Sequence, residues 1–129
     1  MPLSLDCGGA LPSPPTAHHR PDSYADVPYA PPAALAEMVP NQPATNAVWV
    51  NGDWAFRGRT YAWRRGGWYL SAPHTRYAPS QVVYLPEGRI LFAPGTWYAD
   101  DGSALQRPKP IVPAVTPPNE ITPESQTGR

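Results

Sequence analysis

Four segments of one shape divide the middle of this chain. WVNGDW (Trp49 to Trp54), WRRGGW (Trp63 to Trp68) and FAPGTW (Phe92 to Trp97) each read aromatic-x-x-Gly-x-Trp, and a degenerate copy, YAPSQV (Tyr77 to Val82), fills the interval between the last two. The hexads start 14 to 15 residues apart. A repeat this short is one supersecondary unit that cannot bury its apolar face alone, so successive copies must pack on one another.

Two aromatics five positions apart around a turn dipeptide are what a two-residue β-hairpin requires. In WVNGDW the loop is Asn51-Gly52, a strong short-range hairpin signal, and Trp49 is expected opposite Trp54 in the close, non-hydrogen-bonded pair. The next segment, WAFRGRTYAW, centres a second hairpin on Gly58-Arg59, with Phe56 opposite Tyr61 and Trp54 opposite Trp63. Continuing the register pairs Trp68 with Tyr77, Val82 with Phe92 across Glu87, and Phe92 with Trp97 across Pro94-Gly95. The expectation is an antiparallel up-and-down meander of about eight short strands. One row of side chains should cross it: Trp49, Trp54, Trp63, Trp68, Tyr77, Val82, Phe92 and Trp97.

The two-residue period of a strand assigns the faces. Positions two away from the row are mostly apolar (Ala47, Phe56, Tyr61, Leu70, Tyr84, Ile90), which gives an aromatic inner face. The reverse face carries Asp53, Arg57, Thr60, Arg64, Arg76, Gln81 and Arg89. Val48, Val50, Tyr69, Val83, Leu85, Leu91 and Tyr98 break the polar pattern, so part of the reverse face is expected to be covered as well. Pro79-Ser80 and Pro94-Gly95 fit a primed turn poorly, because proline holds φ near −65°. An open sheet with a naked aromatic face is not a stable end point. The chain should close into a small barrel, roll the sheet, or cover that face with its arms or a partner.

Composition separates this block from its flanks. Twelve of the 14 aromatics lie between Asn46 and Ala99, whereas 16 of the 20 prolines lie outside that block, as in SPPTAHHRPDSYADVPYAPP and RPKPIVPAVTPPNEITPESQTGR. The reading is a Pro-rich disordered N-terminal arm over 1–45, a repeat β domain over 46–105 and a disordered tail over 106–129. Within the arm, residues 32–39 (PAALAEMV), bounded by proline, are expected to form a short helix. Formal net charge is +0, with the excess of arginine confined to the central block. Arginine interleaved with tryptophan suits cation-π stacking or polyanion binding, but the leading reading is that Arg57, Arg59, Arg64 and Arg65 solvate turns and an edge. Nucleic acid is not an expected partner.

Chemistry-bearing motifs are scarce. His18-His19 lie in the arm and His74 beside Pro73, too scattered for a metal site. Asp100-Asp101-Gly102-Ser103 lacks the rest of a calcium-ligand series and reads as a turn. No nucleophile elbow, phosphate loop or zinc-protease signature occurs, so neither catalysis nor a cofactor is expected. The remaining catalytic option would use Asp53, Glu87 and Asp100 gathered in one cleft. The single cysteine, Cys7, excludes an intrachain disulfide. The start, MPLSLDCGGA, has neither a charged n-region nor a long apolar run, so it contains no complete signal peptide or membrane span and reads as a truncated start.

The segment PPAALAEMVPNQPATNAVWVNGDWAFRGRTYAWRRGGW combines a Pro-rich lead-in, V-W-V-x-G-x-W, a Gly-centred turn and Y-x-W-x-x-G-x-W. It resembles the YXWGXW (WXXGXW) repeat family of bacterial exported proteins, closely over residues 31 to 70 and more loosely over 77 to 97. That resemblance implies a small exported protein of the periplasm, outer membrane or extracellular space, with no established catalytic activity. Leu3 to Gly9 is similar to the end of a lipoprotein signal. Cys7 would then carry the lipid and provide the one membrane attachment, although Asp6 stands where a small residue is required and an unmodified thiol is the leading alternative. The function expected is a non-catalytic structural or interaction module of the envelope, with an envelope protein or glycan as partner. The second reading is a carbohydrate or peptidoglycan binder using Trp49, Trp54, Trp63, Trp68 and Trp97 with Arg57 and Arg64; for the tryptophans, a structural core role takes precedence.

Overall fold

The structure, a computed structural model, describes residues 11–116. Beyond a 3-10 turn at Pro21–Ser23, its regular elements are strands: β1 (Ala25–Val27), β2 (Ala47–Val50), β3 (Asp53–Arg57), β4 (Thr60–Arg64), β5 (Gly67–Leu70), β6 (Thr75–Ala78), β7 (Gln81–Tyr84), β8 (Ile90–Ala93), β9 (Thr96–Ala99), β10 (Ala104–Leu105) and β11 (Val112–Pro113). They form small antiparallel sheets rather than a closed barrel: β10-β9-β6, β11-β5-β2, β1-β8-β7 and the pair β3-β4. No helix among the described residues is long and apolar enough to cross a membrane.

The register relates these sheets to one another. β2 pairs with β5 (Ala47↔Leu70, Trp49↔Trp68, Val50↔Gly67) and β3 with β4 (Asp53↔Arg64, Trp54↔Trp63, Arg57↔Thr60). In every one of these pairs the two residue numbers add to the same total, so the four strands are one long hairpin interrupted where Asn51-Gly52 lies opposite Arg65-Gly66. The second half repeats the design. β6 pairs with β9 (Thr75↔Ala99, Tyr77↔Trp97) and β7 with β8 (Val82↔Phe92, Tyr84↔Ile90), again in one continuous register, interrupted where Pro79-Ser80 faces Pro94-Gly95. The fold is two bent ribbons, and each hexad crosses the bend of one ribbon arm.

This corrects the expected local hairpins. Trp54 does oppose Trp63, Phe56 opposes Tyr61 and Val82 opposes Phe92, but Trp49 pairs with Trp68 instead of Trp54, and Trp97 with Tyr77 instead of Phe92. Asn51-Gly52 is not a primed turn, since neither residue has a positive φ; the turn is made at Gly58, where φ is 63°. The bends have steric and hydrogen-bonding causes. A Cβ on Gly52 would lie 2.5 Å from Trp63 Cζ2 and 2.7 Å from Glu37 Oε1, and one on Gly66 would lie 2.5 Å from Val50 O, so only glycine permits these approaches. In the second ribbon Pro79 and Pro94 supply no N–H with which to continue a ladder.

Bending splits the expected aromatic row between two cores. Trp49 and Trp68, 5.4 Å apart and edge-to-face, pack with Ala47 and Ala114, while Val50 and Tyr69 on the reverse face pack with Tyr77 and Trp97 of the second ribbon. The base of the first ribbon is thus buried on both faces, as the apolar exceptions at Val48, Val50 and Tyr69 suggested. Near the tips, Tyr61 meets Phe92 of the other ribbon at 5.4 Å, and Tyr29 from the arm meets both Tyr61 and Phe56.

The described flanks are part of this packing, not free tails. The Trp49 N–H donates to Pro12 O at 2.7 Å, the Tyr77 N–H to Pro15 O at 2.8 Å, and the Ala17 N–H to Tyr77 O at 3.0 Å, so residues 12–17 lie between the edges of β2 and β6. Both pairs formed by these residues, Trp49↔Trp68 and Tyr77↔Trp97, are accordingly the non-hydrogen-bonded kind that brings side chains closest. At the other flank β11 pairs with β5, and Val115 exchanges N–H···O bonds with Met38. The helix expected over 32–39 does not form. Its backbone is engaged elsewhere, with Ala33 O accepting from Trp54 Nε1 at 3.2 Å and Met38 bridging to Val115, and a proline-bounded stretch this short has little helical stability of its own.

Candidate functional site

All four hexads contribute to a polar cluster where the ribbons cross. Asp53, directly opposite Arg64 in the first ribbon, is buried; its Oδ1 accepts from Arg64 Nε at 2.9 Å and its Oδ2 from Arg64 Nη2 at 2.6 Å, a bidentate pair. Asp53 Oδ2 also accepts the Gly95 N–H at 2.8 Å, and Arg64 Nη2 donates to Gly95 O at 3.0 Å, which ties the first ribbon to the bend of the second. Arg107 Nη1 approaches Asp53 Oδ1 at 3.6 Å. Tyr77 completes the cluster: burial, followed by the Asp53 charge, pushes its phenol well above the ordinary value, with Arg107 and Arg64 opposing the shift. The polar face assigned to Asp53 and Arg64 is therefore an interior seam at this point.

Beside the seam lies a groove of about 600 Å³. Its walls come from two stretches of the N-terminal arm, around Ser13 to Thr16 and Ala34 to Val39, and from Pro79-Ser80. Its floor is the bend at Asn51 to Asp53, with half-buried Trp63 supplying aromatic surface and the buried Trp49 and Tyr77 bordering it. Polar groups around it are held in fixed orientation. Glu37 Oε2 accepts from Trp63 Nε1 at 2.9 Å and Oε1 from the Gly66 N–H at 3.0 Å, while Asn51 Oδ1 accepts from Trp49 Nε1 at 2.8 Å.

The residues singled out from the sequence divide into three groups. Trp49, Trp68 and Trp97 are buried, at 6%, 1% and 6% exposure, so none of the three offers an open stacking platform. Trp54 and Trp63 pair at 5.0 Å and are half-buried beneath the arm. Arg57 is exposed near the ribbon tip, apart from the groove, and Arg64 is committed to Asp53. Cys7 lies outside the described residues. The three carboxylates considered for catalysis have separate surroundings: Asp53 is at the seam, Glu87 meets Arg89 at a tip, and Asp100 meets His74 Nδ1 at 2.7 Å at a base. No group of three or more potential metal ligands occurs among the described residues.

Glu37 and Asn51 escaped the reading from sequence. Glu37 sat in an expected helix and Asn51 in an expected turn, so neither position pointed to a groove. Asp53 with Arg64 was detectable in principle, as an opposite-charge pair directly across the β3-β4 hairpin. Comparison with protein-family models, with curated proteins and with solved structures finds no match for this chain.

Proposed function

We propose that this chain is a non-catalytic structural or interaction module of the bacterial cell envelope, exported as its resemblance to the YXWGXW repeat proteins implies. The observation that carries the non-catalytic part is the use made of the repeat itself. Indole N–H groups of Trp49, Trp54, Trp63 and Trp68 bond to Asn51, to Ala33 O, to Glu37 and to Pro40 O, so the hexads and the proline-rich arm serve each other as core and cover. Carboxylates and histidines among the described residues are engaged in scattered contacts instead of one reactive cluster.

Two measurements test the reading. Trp68→Ala removes the least exposed indole and should cost about 3–5 kcal/mol of unfolding free energy by urea denaturation; an unchanged midpoint would refute a core role for the repeat. Fractionation of bacteria expressing the gene with its upstream sequence should place the protein in the envelope or medium. Recovery solely in the cytoplasm would refute the compartment.

A further inference from the structure

From the groove beside the seam we infer a binding site for an uncharged, hydroxyl-rich oligosaccharide; this rests on the interaction-module reading and specifies its ligand. A volume of about 600 Å³ falls inside the roughly 300–1,000 Å³ typical of small-molecule sites. Its chemistry narrows the occupant. Half-buried Trp63 provides the planar apolar surface on which a sugar ring stacks, with the buried Tyr77 bordering it. Ser13, Thr16 and Ser80 bring hydroxyls to the walls, and the amide of Asn51, fixed through its Oδ1 by Trp49, has its Nδ2 as a donor.

Charge argues against anionic competitors. No Lys or Arg lines the groove among the described residues, and Arg64 lies behind Asp53, bound to it, so a phosphate or uronate would meet carboxylates without a countercharge. A quaternary ammonium is the competitor that the test must separate, because Glu37 accepts only from the neutral Trp63 and Gly66 N–H groups and keeps its charge, whereas Asp53 is matched by Arg64; the hydroxyl and amide groups around the groove favour the sugar. At the floor, the missing side chain of Gly52 lets Trp63 and Glu37 pack directly on the bend. Trp97 is buried behind Tyr77 and does not line the groove, so it serves as an internal reference.

The test uses the full chain, labelled with ¹⁵N and followed by its indole N–H resonances, titrated separately with cellohexaose, chitohexaose, hexagalacturonate and choline chloride. The expected result is saturable shifts of the Trp63 and Trp49 signals with a neutral hexasaccharide, a stationary Trp97 signal, and no response to hexagalacturonate or choline. Ser13→Trp and Ser80→Trp obstruct the groove from two separate lining segments at exposed positions. Each should weaken binding at least about tenfold in calorimetry while leaving the circular dichroism spectrum unchanged. The proposal is overturned if neither neutral sugar shifts Trp63, if hexagalacturonate or choline binds instead, or if both folded obstructing variants bind normally. Chromatography of the incubated sugar separates the two readings. Cleavage would overturn the non-catalytic assignment while supporting the groove, whereas absence of binding removes the groove's ligand and leaves the scaffold reading standing.

Discussion

Asp53 shows how much of this molecule turns on single side chains. Its buried carboxylate accepts two bonds from Arg64 and one from the Gly95 N–H, so losing it strands a guanidinium and a backbone donor together. Asp53→Ala should therefore destabilise the fold by about 3–5 kcal/mol in urea unfolding, far more than loss of an exposed pair such as Arg89 with Glu87 would. Tyr77 gives a pH signature at the same place. Its phenol is raised above the ordinary value of 10.0 by burial and by Asp53, so the folded state favours the neutral form. That contribution is complete below pH 10 and is lost progressively as pH rises beyond it, because the unfolded chain releases the proton first. Spectrophotometric titration should show one tyrosine resisting ionisation until the protein unfolds, and Tyr77→Phe should remove that lag.

Among elements, the bends decide the topology. The β3-β4 hairpin was legible because Gly58-Arg59 is a local turn and each flanking aromatic has a single nearby partner. The bends were not, for a reason built into the hexad: with an aromatic at both ends, pairing Trp49 with Trp54 or with Trp68 sets indole against indole equally well. Local signal favoured Asn51-Gly52 as a turn, but continuation of the β3-β4 register down to Ala47↔Leu70 pairs four further residues on each arm and buries both faces of β2 and β5. Turn and bend glycines should respond differently to a methyl group. Gly58→Ala meets open space and is penalised only through its φ of 63°, by about 1 kcal/mol. Gly66→Ala drives a Cβ toward Val50 O and the Gly52 N and should cost about 1–3 kcal/mol. Equal losses in chemical denaturation would contradict the bend.

At the scale of the whole molecule, the proline-rich flanks complete the sheets. Their composition reads as disorder because proline cannot donate, yet the contacts made here use mainly its other half: Pro12, Pro15 and Pro40 all accept through their carbonyl oxygens. Residues 12–17 bridge two strand edges that would otherwise be open to pairing with other chains. Ala17→Pro deletes the donor to Tyr77 O without adding bulk to the core. It should speed amide exchange at the β6 edge and raise concentration-dependent aggregation in light scattering; unchanged exchange there would show the bridge to be dispensable. The groove was invisible from composition for the same reason, since its walls are the segments that read as tails.

The unbroken register of each ribbon restricts how such a chain can change length. A residue gained on one limb slips every pair on the near side of the insertion and turns those side chains inside out, unless the facing limb gains one too. Related sequences should thus tolerate unmatched insertions only at the outer loops near Gly58 and Glu87 or in the connector around Ala72-Pro73, and elsewhere should lengthen or shorten in matched couples.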